Sequence, residues 1–434
     1  MKKIVSIVSF LSFFLCIKAQ TDLGLNFANT VFQSNVMNPA YSPRSKVVVT
    51  LPSVAAGYYN SLGGLKTNNN QLQFDASSES GKVLVNGEFS VLGFGFAIGQ
   101  NGFLSFGQKF STEFGIGGKT NLFKLLTQGN AQFIGQAVEV TPQLSAVING
   151  ELNVAYAHQW NKWNFGVKMK ALNGWAALQT DDASKISLTT NKDFYQLQFD
   201  ADYTLNASNA VSVPFGNLDT LPSSIFDGKT STSKGFGMDL GATYTLSDKI
   251  TFGASIINAF GSINWKNSSA YNAKSKFELD GIDVVKLATD STFGIKFANL
   301  DTLVEKLSFQ KTPTTFKTKQ NRYLNLSASY QLNKMLTANA LVGFSSRGSY
   351  LALNGTFRFK NWIETGLTYS IRNRSAADIG ANVALKLGFL QLYAVADNLT
   401  AIVQPLKTNN FNARVGVNLI FGKRTKTGQE MTTN

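Results

Sequence analysis

Residues 411 to 421 read FNARVGVNLIF, and the chain then changes character to GKRTKTGQEMTTN, residues 422 to 434. Phe411, Ala413, Val415, Val417, Leu419 and Phe421 share one face of an extended segment, and Asn412, Arg414, Gly416 and Asn418 share the other. Alternation this regular describes a strand with two unlike faces. What it leaves open is the solvent that meets the apolar face.

The same design recurs upstream in segments of roughly ten residues, about the length with which a tilted strand crosses a bilayer. Leu324, Leu326, Ala328, Tyr330 and Leu332 share a face, as do Leu351, Leu353, Gly355, Phe357 and Phe359, and Ile379, Ala381, Val383, Leu385 and Leu387. Connections alternate in length. Short turns are predicted at Asn161-Lys162, Ser247-Asp248-Lys249, Asn333-Lys334-Met335 and Lys360-Asn361-Trp362, and long loops over 61–81, 111–149, 206–233, 260–321 and 398–410. Short turns on one rim and long loops on the other are the asymmetry of outer-membrane barrels. Seven of the 8 prolines fall outside these segments, and only Pro52 interrupts one, as expected where proline would delete a ladder hydrogen bond.

Alternation alone also suits a soluble sandwich. Tryptophan placement argues against one, because Trp160, Trp163, Trp175, Trp265 and Trp362 all fall at or just beyond predicted strand ends. Trp160, Trp163 and Trp362 in particular suit a bilayer interface. The apolar face is then the lipid-facing wall, and closure of the sheet pairs every backbone group that would otherwise meet hydrocarbon. The opposite face lines a lumen with Lys168, Lys170, Asp200, Asp202, Asp239, Arg358, Glu364, Arg372, Lys386 and Arg414. If residues 360 to 362 form a turn, Arg358 stands directly opposite Glu364.

MKKIVSIVSFLSFFLCIKAQ, residues 1–20, has the layout of a cleaved secretory signal. Its Cys16 is the only cysteine, so the exported chain has no disulfide, thiolate metal site or thiol nucleophile. Loss of that segment leaves 37 basic and 26 acidic residues, spread too thinly for a nucleic-acid binder and better matched to outer-membrane lipid and lipopolysaccharide. The single histidine, His158, points toward lipid by its parity, and no serine-hydrolase elbow, zinc-protease helix or phosphate-binding loop occurs. The reading is a non-enzyme without metal or cofactor.

Three stretches carry a resemblance. NVMNPAYSPRSKVVVTLPS, residues 35–53, resembles the Asn-Pro-Ala segment that ends the N-terminal plug of long-chain fatty-acid transporter (FadL)-like barrels. GELNVAYAHQWNKWNFGVKMKALNGWAAL, residues 150–178, and ADNLT with NARVGVNLIFG, from 396 and 412, resemble the Bacteroidota outer-membrane barrels grouped as domain of unknown function 5723. The resemblance implies an all-β transmembrane antiparallel barrel of about fourteen strands, within a range of twelve to sixteen. Counting every alternating segment gives sixteen, so the implied number drops 46–60 and 185–191. It further implies a plug over 21–45 containing Asn38, Pro39 and Ala40, a barrel over 46–421, and a polar periplasmic tail over 422–434. Phe421 resembles the terminal aromatic read by the barrel-assembly machinery. A passive channel for a small or hydrophobic ligand is the implied function. A non-transporting barrel joined to a protein partner in an outer-membrane or secretion assembly is the alternative.

Overall fold

The computed structural model describes residues 22–61, 65–68, 71–74, 79–192, 196–211, 233–279, 305–346, 348–360, 362–372, 375–404 and 408–424. The expected signal peptide and residues 425–434 of the tail lie outside them. The chain enters the barrel as β1 (Ser45–Thr50) and β2 (Ser53–Asn60), two halves of one strand broken at Leu51 and Pro52. A separate small hairpin follows, β3 (Leu65–Asn68) with β4 (Gln71–Phe74). Next come β5 (Ser80–Ile98), β6 (Gly102–Lys119), β7 (Ala137–Glu139), β8 (Pro142–Trp160), β9 (Trp163–Thr180), β10 (Lys185–Thr190) and β11 (Leu197–Ser208). β12 (Ser233–Ser247), β13 (Ile250–Ile257), β14 (Ser262–Leu279) and β15 (Gln310–Lys319) lead to a run of sequential neighbours. These are β16 (Tyr323–Gln331), β17 (Leu336–Ser345), β18 (Gly348–Phe359), β19 (Ile363–Arg372), β20 (Ser375–Leu387), β21 (Leu390–Ala396) and β22 (Asn410–Lys423).

Every pairing in the large sheet is antiparallel, and the ring closes where β22 pairs with both β1 and β2. The continuous ring passes from β9 to β12 and β13 and then directly to β16. β14 and β15 join at the long-loop end through β12, which brings the barrel to 16 strands instead of the expected fourteen. Of the two segments that the resemblance would drop, 46–60 is a barrel strand between β22 and β5, whereas 185–191 contains β10, which pairs with β7 and β11 outside the ring. The predicted loop 260–321 in turn contains the β14–β15 pair.

Strand length explains the architecture. β16 to β21 have 7 to 13 residues, close to one bilayer crossing, whereas β5, β6, β8 and β9 have 18 or 19. The long strands therefore continue past the bilayer on one side of the barrel. There they join β7, β10, β11, β14 and β15 in an outer sheet. Leu188, Leu197, Ala201, Tyr203, Leu205 and Tyr271 are buried together on its inner face. The helix Thr120–Gln128, inside the predicted loop 111–149, packs Leu122 and Leu125 on this cluster.

Polarity inverts between the two levels. In the bilayer belt, apolar residues such as Leu152, Met169, Leu240, Leu326, Leu353 and Leu367 are exposed outward and polar residues are buried inside. In the outer sheet the apolar residues face inward and the polar ones face out, because the exterior there is water. This corrects two lumen assignments. Asp200 and Asp202 lie on the outward face of β11, exposed, and pair across to Lys276 at 2.8 Å and Lys274 at 3.3 Å on β14. The Asp200 hydrogen bond holds the Lys276 ammonium above its ordinary range.

The same inversion corrects the tryptophan pattern. Trp160, Trp163 and Trp362 are exposed beside short turns. Trp265 instead lies within β14 at 0% exposure, packed with Leu172, Ala177 and Ile263, its indole Nε1 donating to Thr318 Oγ1 at 2.9 Å. Trp265→Ala is expected to cost about 3–5 kcal/mol, the usual penalty for emptying an aromatic site. The loss should fall on the outer sheet, so limited proteolysis should cut there while the barrel keeps its heat-modifiable gel mobility.

Candidate functional site

The lumen is occupied by the chain's own N-terminal segment. Starting at Asp22, it forms a short helix, Leu23–Phe27, then a 3-10 turn, Phe32–Val36, and leaves at the short-turn rim through residues 41–44. Its ties to the wall can be followed from the long-loop side downward. Asp22 accepts from Arg414 Nε at 2.7 Å and from Asn412 Nδ2, while Arg414 Nη2 reaches Glu88 Oε1 at 2.9 Å. The Leu23 and Gly24 amides, unpaired within so short a helix, both donate to the Asp397 carboxylate at 2.8 Å. Midway, Gln33 and Asn418 exchange amide hydrogen bonds at 2.7 and 2.9 Å, and Lys168 Nζ donates to both Asn35 O and Asn35 Oδ1 at 3.1 Å.

Asn38, Pro39 and Ala40 sit against a row prepared for them. Asn38 Oδ1 accepts the Ala40 amide at 2.9 Å, which folds the turn on itself, and Asn38 Nδ2 donates to the Ala242 and Ala254 carbonyls at 3.3 Å. Gly166, Gly241, Ser255 and Asn325 are cross-strand neighbours on β9, β12, β13 and β16. Ser255 Oγ and Asn325 Nδ2 both donate to Met37 O. A Cβ at Gly166 would overlap the Pro39 carbonyl and the Ala40 nitrogen, and one at Gly241 would overlap Asn38 Oδ1. Glycine is therefore required at both positions for close approach.

An apolar patch complements these polar ties. Leu23, Leu25, Phe27, Val31 and Met37 of the segment bury against Leu341, Tyr350, Ala352, Ala384, Tyr393 and Val395 on the inner wall. A smaller apolar contact seats Phe32 on Val48 and Phe103, and much of the remaining wall is charged or amide-bearing. Lys170 meets Asp239 at 2.7 Å, Lys109 meets Glu88 at 3.0 Å and Glu151 at 3.6 Å, and Asn339, Asn354 and Thr368 form a side-chain ladder across three strands. Each buried charge thus has an opposite partner or a hydrogen-bond acceptor, which is the condition for holding it out of water.

Of the residues predicted for the lumen, Lys168, Lys170, Asp239, Arg358, Glu364, Arg372 and Arg414 face inward. Arg358 lies opposite Glu364 in the register, with Nε to Oε2 at 2.9 Å. Lys386 is exposed at the short-turn rim, beside Gly388, because it sits at the last pairs before that turn. Phe421 is exposed and stacks on Phe389 at 6.0 Å. The tail boundary moves, since β22 runs through Lys423 and Arg424 is tied to the Gln100 and Gly102 carbonyls at 3.1 Å. Asp22, Glu88, Lys109, Glu151, Asp378 and Asp397 are further charged members of the lumen that the sequence reading did not name. The parity of Glu151 with Asn153 on one strand was the available signal for one of them.

Among the described residues, two spaces adjoin the segment. A cavity of about 600 Å³ opens at the short-turn end, between Phe32, Tyr41 and Arg44 above and Trp163, Lys249, Lys360 and Phe389 at the rim. A small one of about 70 Å³ lies beside a defect in the wall. There β5 carries an extra residue against β6 between Ser90 and Gly93, and the neighbouring strand breaks at Pro52. Its lining joins inward Glu88, Lys168 and Arg414 to outward Leu92 and Phe106.

A closed antiparallel barrel with an apolar belt outside and paired charges inside defines an outer-membrane β-barrel protein. The chain belongs to the family described as a family of unknown function, DUF5723, whose match covers residues 39–397. No curated protein sequence matches it. Among solved structures it is similar to the toluene transporter TbuX of Ralstonia pickettii, at 11% identity and a TM-score of 0.44 over 90% of this chain and 94% of that one. It is also similar to the toluene transporter TodX of Pseudomonas putida, at 9% identity and 0.42 over 89% and 91%. A FadL homologue of Pseudomonas aeruginosa aligns at 11% and 0.40 over 93% and 99%. Likeness at these values concerns the fold alone.

Proposed function

We propose that the protein is a passive, FadL-like channel of the outer membrane for a small hydrophobic molecule, with residues 22–44 as its plug. The observation that supports this reading is the apolar patch of Leu341, Tyr350, Ala352, Ala384, Tyr393 and Val395, larger than the Val48–Phe103 contact of Phe32, on a wall that also carries many charges and amides. Lumen side chains that meet only water have no reason to be apolar. The N-terminal helix covers this patch, so a ligand of the same chemistry competes with Leu23, Leu25 and Phe27 for it. Once there, it leaves toward the 600 Å³ cavity or sideways past Leu92 and Phe106 at the wall defect.

The packing of the lumen by the segment favours a second reading, a non-transporting barrel that serves a larger outer-membrane or secretion assembly. Uptake separates the two. Vesicles bearing the purified protein are expected to take up an alkylbenzene or a fatty acid faster than empty vesicles. Leu341→Asp, which places a charge in the patch, should abolish the gain. Equal uptake by empty and protein-bearing vesicles would leave the assembly reading in possession.

A further inference from the structure

The outward face of β12, β14 and β15 carries a cluster of cations just above the lipid-facing belt. Lys234, Lys266, Lys317 and Lys319 are all exposed there. The register fixes their arrangement. Lys234 and Lys317 both pair with Asn264, from opposite sides, and so stand in one row. Phe236 and Lys319 both pair with Ser262, in the row beneath. Strand spacing puts the Lys234 and Lys317 backbones about 10 Å apart, and Lys319 about 7 Å below Lys317. Arg322, also exposed, follows immediately before β16.

What distinguishes this cluster is that it has no acidic partner among the described residues. Further along β14, Lys274 and Lys276 meet Asp202 and Asp200. Around the four lysines, β15 contains no carboxylate, the Asp239 of β12 is turned inward onto Lys170, and the Glu278 of β14 is at the far end with Gln198. Below the cluster the exterior turns apolar at once, with Phe236, Leu240, Phe260 and Leu324 exposed. Four cations directly over a hydrocarbon-facing surface stand at the depth of the leaflet's headgroups, where phosphate is the abundant anion.

We propose that this face is a binding site for the phosphorylated headgroup of an outer-leaflet lipid, with the lysines on its phosphates and its acyl chains along Phe236, Leu240 and Phe260. The assignment rests on the long-loop rim facing outward, and not on transport. Native mass spectrometry of the purified full-length barrel, with bisphosphorylated lipid A or its dephosphorylated form added, tests it. Each lysine near an anionic surface contributes roughly a fivefold factor. The combined variant K234S/K266S/K317S/K319S is therefore expected to bind lipid A at least tenfold more weakly, whereas K162S/K249S/K334S, at the opposite rim, binds as the parent does. Dephosphorylated lipid should bind the parent as weakly as lipid A binds the fourfold variant. Equal binding by variant and parent, or an equal loss in the opposite-rim variant, would overturn the proposal. Displacement of the lipid by inorganic phosphate at the same concentration would also overturn it, by reducing the cluster to a simple anion site. Heat-modifiable mobility confirms that each variant is folded. Vesicle uptake by the fourfold variant should match the parent, and a parent that transports nothing leaves this binding result standing.

Discussion

Arg414→Met is expected to destabilise the barrel by about 3–5 kcal/mol, the cost of leaving a buried charge without its partner. Arg414 is 4% exposed and lies between Asp22 and Glu88, with its Nε on one carboxylate and its Nη2 on the other. Methionine fills similar volume but leaves Asp22 with only the Asn412 amide and Glu88 with only Lys109. Two carboxylates then face each other in a lumen that water reaches poorly. Asp22→Asn in the same molecule removes one of them and should restore part of the loss, since contacting residues do not contribute additively. Urea titrations read by heat-modifiable mobility give both values. A single variant within 1 kcal/mol of the parent would mean that water screens the site and that this network does not secure the segment.

Deletion of residues 22–40 is expected to convert a closed barrel into a conducting one. The ring of hydrogen bonds is complete without these residues, because β22 pairs with β1 and β2 directly, so the wall should survive their loss. What disappears is the material in the lumen, from Asp22 at the long-loop side to Ala40 at the short-turn side. Gly241→Leu should produce a weaker form of the same phenotype, since its side chain would occupy the space of Asn38 Oδ1 and Pro39 Cδ. In planar bilayers the parent should pass little current, the glycine variant intermittent current and the deletion steady current. A folded deletion variant that stays silent would show that other groups close the lumen, and the plug reading would fall.

The barrel wall was legible because lipid imposes a strict pattern. Most strands between residues 324 and 421 alternate regularly where they are short and bilayer-bound, and the opposition of Arg358 and Glu364 followed from counting alone. The outer sheet was not legible, for a physical reason. Above the bilayer the exterior becomes water and the parity rule inverts, so Asp200 and Asp202 carry the same local pattern as lumen residues with the opposite meaning. Trp265 was misplaced for the same cause, since an interface ring and a core ring look alike at a strand end. Of the site, Asn38, Pro39 and Ala40 are singled out by the resemblance alone. Asp22 and Asp397 are not, because the ties they make between the segment and the wall span more than 370 positions in the chain and no local spacing encodes such a contact.

Four strands, β5, β6, β8 and β9, run without a break from the short-turn rim into the outer sheet, and this gives the molecule a mechanical character. A pull on the outer sheet along those strands loads their ladder bonds in shear, many at once, instead of peeling them one by one. The bilayer-bound part resists such a pull through the same backbones that frame Glu88, Lys109, Glu151 and Lys168. A load applied to the outer sheet therefore reaches the charged wall around the N-terminal segment through continuous strands, along the one side of the barrel where the strands are long.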